Sequence, residues 1–444
     1  MIFGDFSPPL LPSLPQQQDA LKKGLGRAAL WAHSGRLSES PLLEACLIDQ
    51  RFDSQIESPR GNWLWGMIQG MGAIERFRAP ILNAFCDLSD EQSASQLCQL
   101  AYRYAEAGDR TFRTRLYEIV EQKPYPLIPW VGEEEIVALD GEQGFLFAAG
   151  VRGRLLIGRE WEWEDENLFD IGVKRLGEDH VIKLLNVPLD AAVKRFLEYR
   201  RLKEETKSEN QAFAAYKSRI ASTSVEEIFR AAESNNMGLW FRGWGKFAEE
   251  PALQSVLQHI WLEQNPKVIA NLLKVFAART LPEFDTRLID LCRHGDQEVR
   301  QRAFAALAQN AHPLVRDFAQ SELQKGIQNG SVVDLFVNNY RHGDENSILD
   351  AIELPDDENT LHGLLMYVIK FLEENPEADC SRLGVLGYAS NPCCECRFHA
   401  ARLLRNRHAI PDWITNECKY DSNEDCQSLL VDFNESTKAN HTSP

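Results

Sequence analysis

Gly295-Asp296-Gln297-Glu298-Val299-Arg300-Gln301-Arg302-Ala303-Phe304-Ala305-Ala306-Leu307 reads as a helix that carries its own start signal. Asp296 stands where an N-cap side chain accepts a backbone N–H from the first turn. Val299, Ala303, Ala306 and Leu307 then recur at the three- and four-residue spacing of one helix face. The same order of chemistry appears earlier, in Gly108-Asp109-Arg110-Thr111-Phe112-Arg113-Thr114-Arg115-Leu116-Tyr117-Glu118-Ile119-Val120. Both stretches run Gly-Asp, two variable residues, an apolar residue, Arg-x-Arg and then apolar pairs. Recurrence of one helical unit implies a repeat architecture, in which each unit buries its apolar face against its neighbours.

Further units align on the Val299 position. Val315-Arg316-Asp317-Phe318-Ala319 follows Pro313, and Cys396-Arg397-Phe398-His399-Ala400-Ala401 follows Pro392. Val268-Ile269-Ala270 follows Pro266 and has Ile269 where the others have Arg. Proline suits the first turn because an N–H there has no intrahelical partner. With their Asp or Pro start, apolar anchor, following Arg and Ala-rich stripe, these units resemble HEAT-like (armadillo-type) helical repeats. The resemblance implies an all-α chain, an α-solenoid of stacked antiparallel helix pairs with a surface for partners. It also implies that the Arg after the anchor (Arg113, Arg300, Arg316, Arg397) joins a ladder with acids on neighbouring turns. Arg300 and Asp296 are accordingly expected to serve stacking rather than ligand binding.

Patterning divides the chain. Residues 1–17, rich in proline from Pro8 to Pro15, form an extended lead-in. Residues 18–151 form an N-terminal helical-repeat region, with Leu97, Leu100, Ala101 and Tyr104 on one face. Residues 152–223 read as an irregular connection ending in a charged helix. Residues 224–431 form the C-terminal HEAT-like region, and residues 432–444 a polar, disordered tail.

The charge of this 444-residue chain is -18, which lacks the basic footprint that nonspecific nucleic-acid binding requires. The first residues lack a basic stretch followed by an apolar one, and no apolar run approaches a membrane span. Several of the ten cysteines, Cys46, Cys98 and Cys292 among them, fall on apolar helix faces. A cytoplasmic protein with free thiols is expected, without metal or cofactor.

Candidate chemistry is sparse. Arg-His-Gly-Asp occurs at residues 293–296 and 341–344; a repeat reuses its turns, so Gly ending one helix and Asp capping the next explains both. Cys393-Cys394-x-Cys396-x-x-His399 lacks the paired ligand spacing of structural zinc sites. Gly24-Leu25-Gly26-Arg27-Ala28-Ala29 matches a dinucleotide fingerprint but follows a helix-like stretch where that site needs a strand. Trp240, Arg242 and Trp244 combine rings with positive charge, as a partner-binding or base-stacking surface would. Trp240, Trp244 and Phe247 also recur at the spacing of a buried stripe. Trp161 and Trp163, set among acids, suit a structural loop or a basic protein partner.

No nucleophile elbow, zinc-protease helix or phosphate loop appears. The expected function is a non-catalytic scaffold or adaptor binding another protein. The alternative is an enzyme, or a chromophore- or nucleic-acid-handling protein, on a HEAT-like body; some families with that body act on phycobilins or alkylated DNA, lyase-like or repair-like chemistry.

Overall fold

The computed structural model describes residues 6–88, 90–122, 131–156, 167–184, 190–206, 218–220, 222–234 and 238–429. Every regular element among them is helical, and an isolated bridge joins Ile327 to Ile352. The all-α expectation holds for these residues. No described helix is long and apolar enough to cross a membrane. The 432–444 tail lies outside the described residues.

The chain divides into two compact units. The first comprises residues 7–207, 393–395 and 412–444; the second comprises 1–6, 208–392 and 396–411.

A continuous apolar core extends through the first unit from Ala20 to Leu197. Helix starts earlier than the proline content suggests. The Leu14–Lys23 helix takes in Pro15 in its first turn, and Gln16 Oε1 accepts the Ser13 N–H at 2.8 Å. The lead-in therefore stops at Ser13, not at residue 17. The Glu91–Glu106 helix buries Leu97, Leu100, Ala101 and Tyr104, the face its spacing predicts, and Asp90 caps it. Gly108 (φ 101°) then turns the chain into the Arg110–Gln122 helix, where Asp109 Oδ1 accepts the Thr111 N–H.

The stretch read as an irregular connection corrects that expectation. Within 152–206 stand the helices Asn167–Leu176, Glu178–Leu184 and Ala191–Thr206, and the Glu142–Leu156 helix extends past residue 151. The two helices between 167 and 184 are too short to repeat an apolar face more than about twice, so periodicity is weak there. The first half of Ala191–Thr206 buries Ala192, Val193, Phe196 and Leu197. It packs on Glu142–Leu156, where a Cβ on Gly153 would lie 1.7 Å from the Ala192 carbonyl oxygen.

The helices Asp412–Cys418 and Glu424–Ser428 also belong to the first unit, not to a 224–431 repeat region. They lie on the turn between Leu14–Lys23 and Gly26–His33. The Ser422 N–H donates to the Gly24 oxygen at 2.9 Å, and Arg27 Nε donates to the fully buried Glu417 at 2.5 Å. This docking accounts for the glycines of the fingerprint-like stretch. Gly24 ends a helix at φ 74°, and Gly26 leaves room for the Glu417 oxygen, 1.9 Å from where a Cβ would be.

In the second unit, Pro266–Leu273 packs on Gln297–Leu307, which packs on Ser331–Val337, which packs on Glu358–Glu374. The intervening helices Arg287–Leu291 and Pro313–Leu323 each contact the helix that follows them, Asp344–Ala351 contacts Pro313–Leu323 and Ser381–Ser390, and Ser381–Ser390 joins Glu358–Glu374. Val299, Ala303, Ala306 and Leu307 are all buried, and Asp296 caps its helix through Val299 N–H. Pro266 and Pro313 sit in first turns; Pro392 instead stands two residues ahead of the Cys394–Asn406 helix.

The arginines after the anchors take different partners. Arg316 forms a buried pair with Asp344 on a later helix, with Nη2 to Oδ1 at 2.6 Å, and also donates to the Asn339 oxygen. Arg113 reaches Asp140 at 3.0 Å, and Arg78, outside the motif, reaches the cap residue Asp109 at 2.5 Å. Arg397 is fully buried and donates to the Pro392 oxygen. Arg300 donates to the His294 and Gly295 oxygens at 2.7 and 2.8 Å. Its role is therefore local, closing the end of the preceding helical turn, where the carbonyls lack intrahelical partners.

Candidate functional site

A cleft of about 1410 Å³ lies wholly within the first unit. One wall comes from residues 56–63, another from Gln99 and Glu134, a third from Lys174 and Arg175 at the end of Asn167–Leu176, and the last from residues 419–428 with Cys394 and Glu395. Side-chain hydrogen bonds hold the walls at residues 56–63 and 419–428. Arg60 donates to Glu57 at 2.5 Å and to the Leu21 and Lys22 oxygens at 3.1 and 2.6 Å, closing the Leu14–Lys23 helix end. Trp63 Nε1 donates to the Tyr420 oxygen at 2.8 Å. Asn423 Nδ2 donates to Glu395 at 2.7 Å, while its Oδ1 accepts the Cys426 N–H at 3.0 Å.

The lining mixes both charge signs with side-chain amides. Lys174 and Lys419 are exposed and have no ion-pair partner among the described residues; Glu424 and Asp425 are exposed opposite signs. Arg175 and Glu134 stand 3.6 Å apart, each about half exposed. Asn62, Gln99 and Gln427 add groups that both donate and accept. Such a surface suits a polar, extended ligand with its own N–H and C=O groups better than a compact apolar one.

A smaller cleft of about 300 Å³ shares Asn62, Gln99, Glu134 and Arg175 and adds Tyr102, Arg103 and Glu135. Burial pushes the Glu135 carboxyl from its ordinary 4.5 up to about 7; Glu134 and Glu133 add to the rise, while its own backbone N–H and Arg175 oppose it. A carboxyl raised in the folded state binds more protons there than in the unfolded chain. It thus subtracts stability as pH climbs from about 4.5 to about 7. Glu135→Gln removes that dependence. Thermal midpoints of the two proteins should diverge in the variant's favour between pH 5 and pH 8, and parallel curves would contradict the shift.

Of the residues singled out in the sequence, Cys394 lines the larger cleft, and the described aromatic and basic candidates line neither. Trp244 is buried in the second unit, its Nε1 donating to the Thr223 oxygen at 3.0 Å, so it is core rather than contact surface. The buried face of the Gly238–Phe247 helix is Phe241, Trp244 and Gly245, one position off the Trp240, Trp244, Phe247 stripe, and Phe247 is 64% exposed. Gly245 decides the register, since a Cβ there would lie 2.0 Å from the Val275 oxygen. Trp240 is half-buried beneath Arg219, with its Nε1 unpartnered among the described residues, and Arg242 is exposed. Trp161 and Trp163 lie outside the described residues. His399 turns to Glu373 at 3.2 Å, and Cys396 instead has His362 as neighbour at 3.2 Å.

The two Arg-His-Gly-Asp turns differ. In the first, His294 Nδ1 accepts the Asp296 N–H and Asp296 is the cap. In the second, Gly343 (φ 97°) is the cap and Asp344 is the first helical residue, committed to Arg316. Sequence inspection missed the cleft residues Arg60, Trp63, Lys174, Arg175 and Lys419 because they come from separate helices with no shared spacing. The signal in reach was indirect: adjacent bases at the end of a helix, and paired glycines that mark a docking surface. No family model matches the chain, and neither a curated protein nor a solved structure matches it.

Proposed function

We propose that this protein is a non-catalytic scaffold or adaptor, and that the first-unit cleft holds an extended segment of another protein. The observation that carries the reading is the cleft's lining, where the exposed Lys174 and Lys419, which have no ion-pair partner among the described residues, share the surface with Glu424, Asp425 and side-chain amides. A polypeptide of mixed charge satisfies such a lining along its length. The chain's charge of -18 weighs against nucleic acid as the occupant. A cytoplasmic location belongs to the same proposal and draws on ten cysteines without a disulfide.

We also infer that both units are HEAT-like arrays of stacked antiparallel helix pairs. Support comes from the buried stripe of Gln297–Leu307 and from the packing series Pro266–Leu273, Gln297–Leu307, Ser331–Val337 and Glu358–Glu374. The links Arg78–Asp109, Arg113–Asp140 and Arg316–Asp344, each joining one helix to a later turn, add to it.

Capture of partners from the native host, followed by binding measurements with the purified partner, tests the scaffold reading. Reversing Lys174, Arg175 and Lys419 to Glu should weaken binding roughly tenfold, at about 0.2–1 kcal/mol per rim charge, and flatten its salt dependence. Unchanged affinity, with cross-links mapping away from residues 56–63 and 419–428, would remove the cleft from the mechanism. An enzyme reading is favoured by one observation, the Glu135 carboxyl poised near neutral pH beside the cleft. Turnover abolished by Glu135→Gln would decide for it.

A further inference from the structure

Cys418 ends the Asp412–Cys418 helix and Cys426 lies in the Glu424–Ser428 helix, with their sulfurs 3.2 Å apart. Both side chains are buried in the first unit, and neither is bridged. We propose that these two thiols form a redox pair, which a hydroperoxide converts to a disulfide. The bridge would pin the wall of the cleft formed by the residues between them.

The geometry favours this pairing over others. A disulfide needs an S–S bond of about 2.05 Å, so the sulfurs must approach by only about 1 Å. The intervening turn is already held in place: Asn423 caps the second helix through the Cys426 N–H and is tied to Glu395. Cys394, the other thiol nearby, lies behind the Asn423 amide, with 3.5 Å between its sulfur and Nδ2. The residues flanking the pair, Lys419, Glu424 and Asp425, are exposed and line the cleft. Glu424–Ser428 is only five residues long, so brief local opening gives a small oxidant access.

The chemistry balances in two steps. One thiolate attacks a peroxide oxygen, forming an S–O bond and breaking O–O; the hydroxide that leaves takes up the proton released by the thiol. The second thiol loses its proton and its sulfur attacks the sulfenic sulfur, forming S–S and breaking S–O. The departing hydroxide takes that proton, so two thiols are oxidised while one peroxide becomes two waters.

The test uses the full reduced chain and hydrogen peroxide, dosed until the exposed Cys86 reacts as an internal gauge. After quenching, the protein is unfolded, alkylated and mapped by mass spectrometry. The expected result is a loss of two hydrogens, a peptide cross-link between Cys418 and Cys426, and return of both thiols on treatment with a dithiol. Amide exchange across residues 419–425 should slow several-fold on oxidation. Cys394→Ser should leave the cross-link intact, and Cys426→Ser should leave Cys418 alkylated. Complete alkylation of both thiols after Cys86 has reacted overturns the proposal, as does a cross-link through Cys394 or oxidation that a dithiol does not reverse. The effect on a bound partner rests on the scaffold reading, but the cross-link and the exchange change do not. The two can therefore fail separately.

Discussion

Arg316→Ala should destabilise the second unit by about 3–5 kcal/mol, because it leaves Asp344 buried without its countercharge. The Arg316 and Asp344 side chains are 9% and 6% exposed, so water replaces little of what the guanidinium supplies. The same substitution also frees the Asn339 oxygen. Arg300→Ala, one helix earlier, should be milder, about 1 kcal/mol, since it gives up hydrogen bonds to two carbonyls near the surface. Denaturant titration together with hydrogen exchange across residues 313–351 distinguishes the two. Equal losses would mean that Arg300 bears an inter-helix load its contacts do not account for. Replacing Arg316 and Asp344 together by Met and Leu should recover most of the loss, since an apolar pair of similar volume removes the stranded charge.

Gly26→Ala should release the C-terminal helices from the first unit. The added methyl would lie 1.9 Å from the Glu417 oxygen and 2.8 Å from its carbonyl carbon, backbone atoms that no rotamer change can move aside. Overpacking alone is worth about 1–3 kcal/mol. Release would also separate Arg27 from Glu417 and Trp63 from the Tyr420 oxygen. Residues 412–428 should then exchange their amides as a group and become open to protease while the Ala20–Leu197 core keeps its protection. Protection of 412–428 equal to that in the native chain would show that the turn yields to the methyl group.

What the sequence made legible was local. Val299, Ala303, Ala306 and Leu307 announce a buried face because the period of a helix is written within eleven residues, and that face is buried. Tertiary partners decide the rest. The Arg-His-Gly-Asp sequence takes two backbone forms, because Asp344 is held by an arginine 28 residues earlier and Asp296 is not. Helices of seven to ten residues between 167 and 184 carry too few turns to show a period. The Gly238–Phe247 stripe was off by one because a glycine, not a ring, makes the closest approach. No spacing could announce the cleft, since its walls meet only once the chain returns from residue 395 onward to its first helices.

That return sets a timetable for synthesis. Arg27 and Glu417 are 390 residues apart, so at about 5–20 residues per second the ribosome needs roughly 20–80 s to supply the partner. Through that interval the Gly24–Arg27 turn and the Trp63 ring stand uncovered on the nascent chain, while residues 208–392 emerge and can settle into the second unit. A stop codon between residues 412 and 417 would therefore make the delay permanent. The truncated product should expose the earliest part of the protein made, and a chaperone or protease would meet it there rather than at the site of the lesion.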